Sequence, residues 1–168
     1  NFFLGPSELT STRMALAWPA GFRRVPDEPW VSSPVETLAL KYDTVESHGW
    51  YSNLEPTVDE LAAYLRDGSI LVDYSGGTGI LLDRLLKRAP RLAAGLLLVD
   101  ASPKFLRLAL EKLGNDERVA FRWIRYLKEE KRLERLDEVV PEGFKADAIA
   151  STNAIHLYYG LDETLASW

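Results

Sequence analysis

A chain of 168 residues, 46% hydrophobic and 27% charged, holds enough apolar material for one domain with a buried core. Its net charge of -5 and the lack of a dense Lys/Arg stripe argue against non-specific attraction to nucleic-acid phosphates or anionic lipid; only an RNA read at a specific site stays open. Without cysteine there is no disulfide framework, zinc thiolate site or thiol nucleophile, and nothing else in the sequence suggests a metal. No apolar run reaches the ~18 residues of a membrane span, and the opening NFFLGPSEL lacks the layout of a signal peptide, so the expectation is a soluble, cytoplasmic protein.

The stretch before Glu36 carries Pro6, Pro19, Pro26, Pro29 and Pro34, with Trp18 and Trp30 and no sustained period, and reads as an irregular arm packed by its aromatics. Ser33, Pro34 and Glu36 supply an N-cap, a first-turn proline and a capping-box acid, predicting a helix towards Tyr42. Residues 1–56 are taken as this arm with its helix, and 57–168 as the main domain. Thr57 with Glu60 repeats the capping box, so VDELAAYLRD reads as a helix stopped by Gly68.

From Ile70 onward, apolar runs of strand length alternate with amphipathic stretches, the signature of βαβ units and a parallel sheet. The predicted strands are Ile70–Asp73, Leu96–Asp100, Val119–Ile124 and Ala148–Ser151. Between them fall helices at Gly79–Arg88 and Ser102–Leu113 and a charged helix within Lys128–Val140, whose Leu133, Leu136 and Val140 are spaced to face the core. Ser102, Pro103 and Gly114 mark the second helix as N-cap, first position and stop. A last helix starts near Asp162 and is cut short at Trp168, so the fold reads as incomplete at its C-terminus.

The stretch Asp73-Tyr74-Ser75-Gly76-Gly77-Thr78-Gly79 joins a strand that ends in an acid to a helix through three glycines in four residues. Such a turn places backbone N–H groups and a helix N-terminus beside a cleft, with no Cβ to hold a ligand away. A phosphate-cradling P-loop would need glycine at Leu81, a dinucleotide fingerprint would need it at Leu82, and a nucleophile elbow around Ser75 would need it at Asp73. All three fail.

The same seven residues resemble the first motif of the class I S-adenosylmethionine-dependent methyltransferases, D/E-x-G-x-G-x-G, with Asp73, Gly77 and Gly79 in register and Ser75 in place of the first glycine. Asp100 at the end of GLLLVDASP stands where that family has its second acid, and Asn153, Ala154 and His156 where it has its segment after the fourth strand. The resemblance spans roughly residues 57–168. It implies an α/β, Rossmann-like parallel sheet flanked by helices, with the order 3-2-1-4 among the strands present and strands five to seven missing from this chain. It further implies S-adenosylmethionine as cofactor, held by Asp73, Tyr74, Ser75, Gly76, Gly77, Gly79, Asp100, Ala101 and Asn153, with Asp100 on the ribose diol and Asp73 and Gly77 at the methionine ammonium. Adenine would lie near Arg125–Leu127, where no acid or amide stands.

The implied activity is methyl transfer to a small-molecule acceptor that the sequence does not name. A methyltransferase-like module that binds a nucleoside or a partner protein is the alternative, and a homo-oligomer is open. His156 is the candidate general base, since histidine titrates near neutral pH, with packing as the competing role. His48 is a weaker one. Tyr42, Trp50 and Tyr51 form either an aromatic lid or ordinary helix packing.

Overall fold

The structure, a computed structural model, describes Trp18, residues 20–25, 54–152, Ala154, Ile155 and 160–168. The helix predicted from Ser33, the aromatics Tyr42, Trp50 and Tyr51, and the site candidates His48, Asn153 and His156 lie outside these residues. After a single 3-10 turn at Ala20–Arg23, the elements are α1 (Leu54–Tyr64), β1 (Ile70–Tyr74), α2 (Ile80–Arg88), β2 (Gly95–Asp100), α3 (Pro103–Leu113), β3 (Val119–Trp123), β4 (Tyr126–Leu127), β5 (Arg132–Leu133), α4 (Leu136–Val139), β6 (Ala148–Ala150) and α5 (Leu161–Ala166).

The main sheet runs β3-β2-β1-β6 with every pair parallel, which is the predicted order 3-2-1-4, since β6 is the fourth strand to enter it. All six residues of β2 are buried, as expected of a parallel strand covered on both faces. Alternate side chains therefore feed two cores. Leu71, Leu96, Leu98 and Phe121 pack with Leu82 and Leu85 of α2 and Leu106, Ala109 and Leu113 of α3. Val72, Tyr74, Leu97, Val99 and Ala120 pack on the other face with Phe22, Leu136 and Val139.

Three boundaries depart from the sequence reading. The first helix begins at Leu54, so Thr57 lies inside it rather than capping it, and Pro56 occupies its first turn, where a missing N–H is tolerated. It ends at Tyr64, and Gly68, at φ +85°, serves the turn beyond, donating to the Ala93 carbonyl at 2.8 Å. The charged stretch of Lys128–Val140 is not one helix. It begins in an antiparallel hairpin, Tyr126 opposite Leu133 and Leu127 opposite Arg132, and only Leu136–Val139 is helical. Lys131 at φ +54° turns the chain, and the Glu134 carboxylate accepts from the Arg125 backbone N–H at 2.8 Å and pairs with its guanidinium.

The described N-terminal residues dock beside β3. Trp18 stacks on Phe22 with ring centroids 5.9 Å apart and donates its indole N–H to the Arg118 carbonyl at 2.9 Å. The Arg23 guanidinium donates to the carbonyls of Gly114, Asp116 and Val119 at 2.6, 3.2 and 2.9 Å, joining the end of α3 to the start of β3. No helix among the described residues is long and apolar enough to cross a membrane.

Candidate functional site

Because β1 has β2 on one side and β6 on the other, the chain reverses its direction of travel across the sheet at β1. Open α/β sheets take their ligands at such a reversal, outside the carboxyl ends of the strands. The glycine turn leaves β1 at that end and Asp100 closes β2 beside it.

Each glycine of the turn has its own reason. A Cβ on Gly76 would sit 2.5 Å from the Asp73 carboxylate, so the backbone there lies directly over that acid. A Cβ on Gly79, at φ +77°, would meet Leu113 at 2.7 Å and Leu98 at 3.1 Å; this glycine lets the start of α2 press against α3 and β2. That packing role is the one a dinucleotide fingerprint would give to position 82, which Leu82 fills as a core residue. Gly77, at φ +55°, differs from both, since its Cβ would meet only the Phe105 ring edge, at 4.0 Å. Its Cα is the bare point of the turn. Ser75, where the family motif has glycine, adopts the left-handed φ of +60° that glycine would take.

The turn does not hold its N–H groups out to a ligand, as the sequence reading expected. Ser75 and Gly76 donate to the Val99 carbonyl at 2.7 and 3.2 Å, and Gly79 donates to Gly76 at 2.9 Å. Gly77 donates to the Asp100 carboxylate at 2.8 Å. Four donors that could have cradled a phosphate are thus committed internally. What the site presents instead is acid and bare backbone.

Asp100 is placed by its neighbours. Ser102 caps α3 by accepting from the Phe105 N–H at 3.1 Å, as its position before Pro103 predicts, and donates its own N–H to Asp100 at 2.8 Å. The backbone around Asp100 is tied to the end of β3, its carbonyl accepting from Ile124 at 3.1 Å and the Ala101 carbonyl from the Trp123 indole at 3.1 Å.

Asp73 is 0% exposed, and neither carboxylate oxygen accepts a hydrogen bond from the protein. Burial, and then the nearby Asp100 charge, push its pKa up to about 7. A ligand meeting the loop as it stands would feel Asp73 through its field rather than through contact. Tyr74 points to the opposite face, buried in the second core with its ring 5.2 Å from that of Trp168. Only its backbone is on the side of the turn.

The structure thus gathers Asp73, Ser75, Gly76, Gly77, Gly79, Asp100 and Ala101 around one turn. Two participants were missed by the sequence reading. Phe105, the residue nearest the bare face of Gly77, could have been found as the aromatic three places after the N-cap. Glu134 reaches Arg125 through the hairpin and supplies an acid beside the segment where none stands in sequence; burial works against its charge, but its bonds to Arg125 hold its carboxyl below the usual range.

The parallel order, the glycine turn after β1 and the acid ending β2 together make this the Rossmann-like fold of class I S-adenosylmethionine-dependent methyltransferases, and solved structures agree. A Methanococcus maripaludis protein assigned as an S-adenosyl-L-methionine-dependent methyltransferase superposes with a TM-score of 0.61 at 13% identity, over 83% of this chain and 60% of that one. The plantazolicin methyltransferase BpumL, solved with S-adenosylhomocysteine, gives 0.58 at 16% identity over 81% and 48%. Phosphoethanolamine N-methyltransferase 2 of Haemonchus contortus, solved with phosphomonomethylethanolamine and S-adenosylhomocysteine, gives 0.56 at 18% identity over 79% and 29%. The chain therefore spans between 29% and 60% of the length of these three proteins. No family model and no curated protein matches the sequence.

Proposed function

We propose that the chain binds S-adenosylmethionine at the turn after β1 and serves methyl transfer to a small-molecule acceptor. The observation that carries this reading is the spending of the loop's amides: with the N–H groups of Ser75, Gly76, Gly77 and Gly79 engaged within the protein, the turn suits a ligand without phosphate. S-adenosylmethionine is such a ligand. It brings an amino-acid tail with an ammonium and a carboxylate, a sulfonium, a ribose diol and an adenine, and the acids and bare backbone of the turn fit its diol and its cationic groups. Asp100 offers an ionised acceptor for the diol, and bonds of that kind are about twice as strong as neutral ones. The open face of Gly77 admits close approach, and the Asp100 carboxylate hydrogen-bonded to its N–H lies beside it to favour a cation.

When bound, the cofactor supplies the chemistry, a methyl group already activated on a sulfonium. The task left to the chain is alignment and exclusion of water. Asp100 would fix the ribose of the ligand while holding the loop through Gly77, so one carboxylate links ligand position to loop position. Asn153 and His156, which follow β6 in sequence, are the further candidates, His156 as a base if the acceptor must lose a proton.

The test is calorimetric titration with S-adenosylhomocysteine, with NADH as a comparison, followed by assay of S-adenosylhomocysteine release in the presence of candidate acceptors. Saturable binding that weakens roughly tenfold to a hundredfold in Asp100→Asn supports the reading. Binding of NADH in preference to S-adenosylhomocysteine would refute it.

A further inference from the structure

The pairing of Asp73 and Asp100 has a role left over. Asp100 has backbone donors on both oxygens, whereas Asp73 lies sealed under Gly76 with none on either, although an ionised carboxylate in a protein interior ordinarily demands two or more. Nothing in the loop's own packing explains keeping an acid there. We propose that Asp73 is a proton store coupled to the ligand site: it holds a proton in the free protein and releases it when the ammonium group of a ligand settles on the glycine turn, so that cofactor binding strengthens as pH rises. This rests on the cofactor reading above and adds a regulatory property to it.

The surroundings isolate this effect. From β2 the charge facing Asp73 is Asp100, which favours the protonated form. The strand partner β6 contributes Ala148, Ile149 and Ala150, with no ionisable group. On the packed face, α2 turns Leu81, Leu82 and Leu85 inward. Its charges lie at the surface, Asp83 with Lys87, Arg84 with Glu55, and Arg88 with Glu55 and Asp59. The inward residues of α3 are Leu106, Ala109 and Leu113. Among the described residues, then, no cation is turned onto Asp73, and one brought by a ligand would be the first. A unit charge about 5 Å away, at an effective dielectric of about 20, changes proton affinity by roughly a hundredfold. By reciprocity the proton weakens the ligand by the same factor.

The experiment titrates the protein with S-adenosylhomocysteine at roughly pH 5.5, 6, 7 and 8, and repeats the titration at pH 6 in two buffers of different ionisation enthalpy. The ammonium of the ligand stays protonated in the lower half of this range, so protons counted there come from the protein. The expected result is release of most of one proton at pH 6 and affinity about tenfold or more weaker at pH 5.5 than at pH 8. Asp73→Asn, shown folded by circular dichroism, should bind without that proton and without that slope. Wild-type binding with no proton exchange and a flat pH profile would overturn the proposal and leave the cofactor reading standing. A profile retained in Asp73→Asn would overturn it by moving the proton elsewhere. Absence of binding at every pH would remove both.

Discussion

Substituting alanine at two glycines of the same turn should give opposite rankings in two assays. At Gly77 and Gly79 the backbone is left-handed, at φ +55° and +77°, so either alanine carries a conformational cost of about 1 kcal/mol. Beyond that the sites diverge. At Gly77 the new methyl would stand 4.0 Å from Phe105, in ordinary contact, and nothing more is lost. At Gly79 it would lie 2.7 Å from Leu113 and 3.1 Å from Leu98, two buried side chains that must shift, and overpacking of this kind costs a further ~1–3 kcal/mol. Gly79→Ala should therefore lose about 2–4 kcal/mol in urea unfolding and Gly77→Ala about 1. In calorimetry with S-adenosylhomocysteine the order should invert per unit of stability lost, because the methyl on Gly77 stands on the bare face of the turn. Equal destabilisation of the two variants would refute the packing role given to Gly79. Undisturbed ligand binding in a folded Gly77→Ala, and also in the bulkier Gly77→Val, would refute the bare-backbone role of Gly77.

Asp73 should also mark the pH dependence of folding. Its folded pKa of about 7 stands above the ordinary aspartate value of 3.8, so the folded state holds the proton more tightly; the contribution is fully present below 3.8 and is lost as pH rises through 7. Wild type should lose about 2–3 kcal/mol more than Asp73→Asn between roughly pH 5 and pH 8 in parallel urea titrations; parallel stability curves would contradict the burial argument. Ser75→Gly should stabilise the protein by about 1 kcal/mol by relieving a non-glycine residue at φ +60°, visible as a raised urea midpoint with unchanged slope. A lowered midpoint would mean that the Ser75 side chain makes up for its backbone.

The elements with both a period and a terminal signal were legible. The strand β2 reads correctly because an unbroken apolar run ends in Asp100, and α3 because Ser102 and Pro103 precede it. Gly114 stops α3 with an ordinary right-handed φ of -64°; it must be glycine because a Cβ would run into the Leu110 carbonyl. The stretch from Lys128 misled because Glu, Lys, Arg and Leu favour helix and Leu133, Leu136 and Val140 have helical spacing. A contact nine residues apart, Glu134 to Arg125, outweighs that preference and folds the chain back. The site's acids and glycines were legible as residues. The engagement of their amides was not, because the Val99 carbonyl and the Asp100 carboxylate reach the turn only when β2 lies beside β1, which no local pattern encodes.

The docking of Arg23 bears on the order in which the molecule assembles. Within the sheet, β1 meets β2 and β2 meets β3 across loops of about two dozen residues, each bridged by a helix that can form early. Asp147 reaches back 77 residues to the Ile70 N–H, and Arg23 lies 96 residues from the Val119 carbonyl it binds. Closing those long loops first would spend chain entropy before any helix or strand could repay it. The three-strand half carrying the glycine turn and Asp100 is thus the natural nucleus, with β6 and the N-terminal segment arriving on a surface already formed. A nascent chain would hold both acids in place before the arm or the strand beyond them had docked.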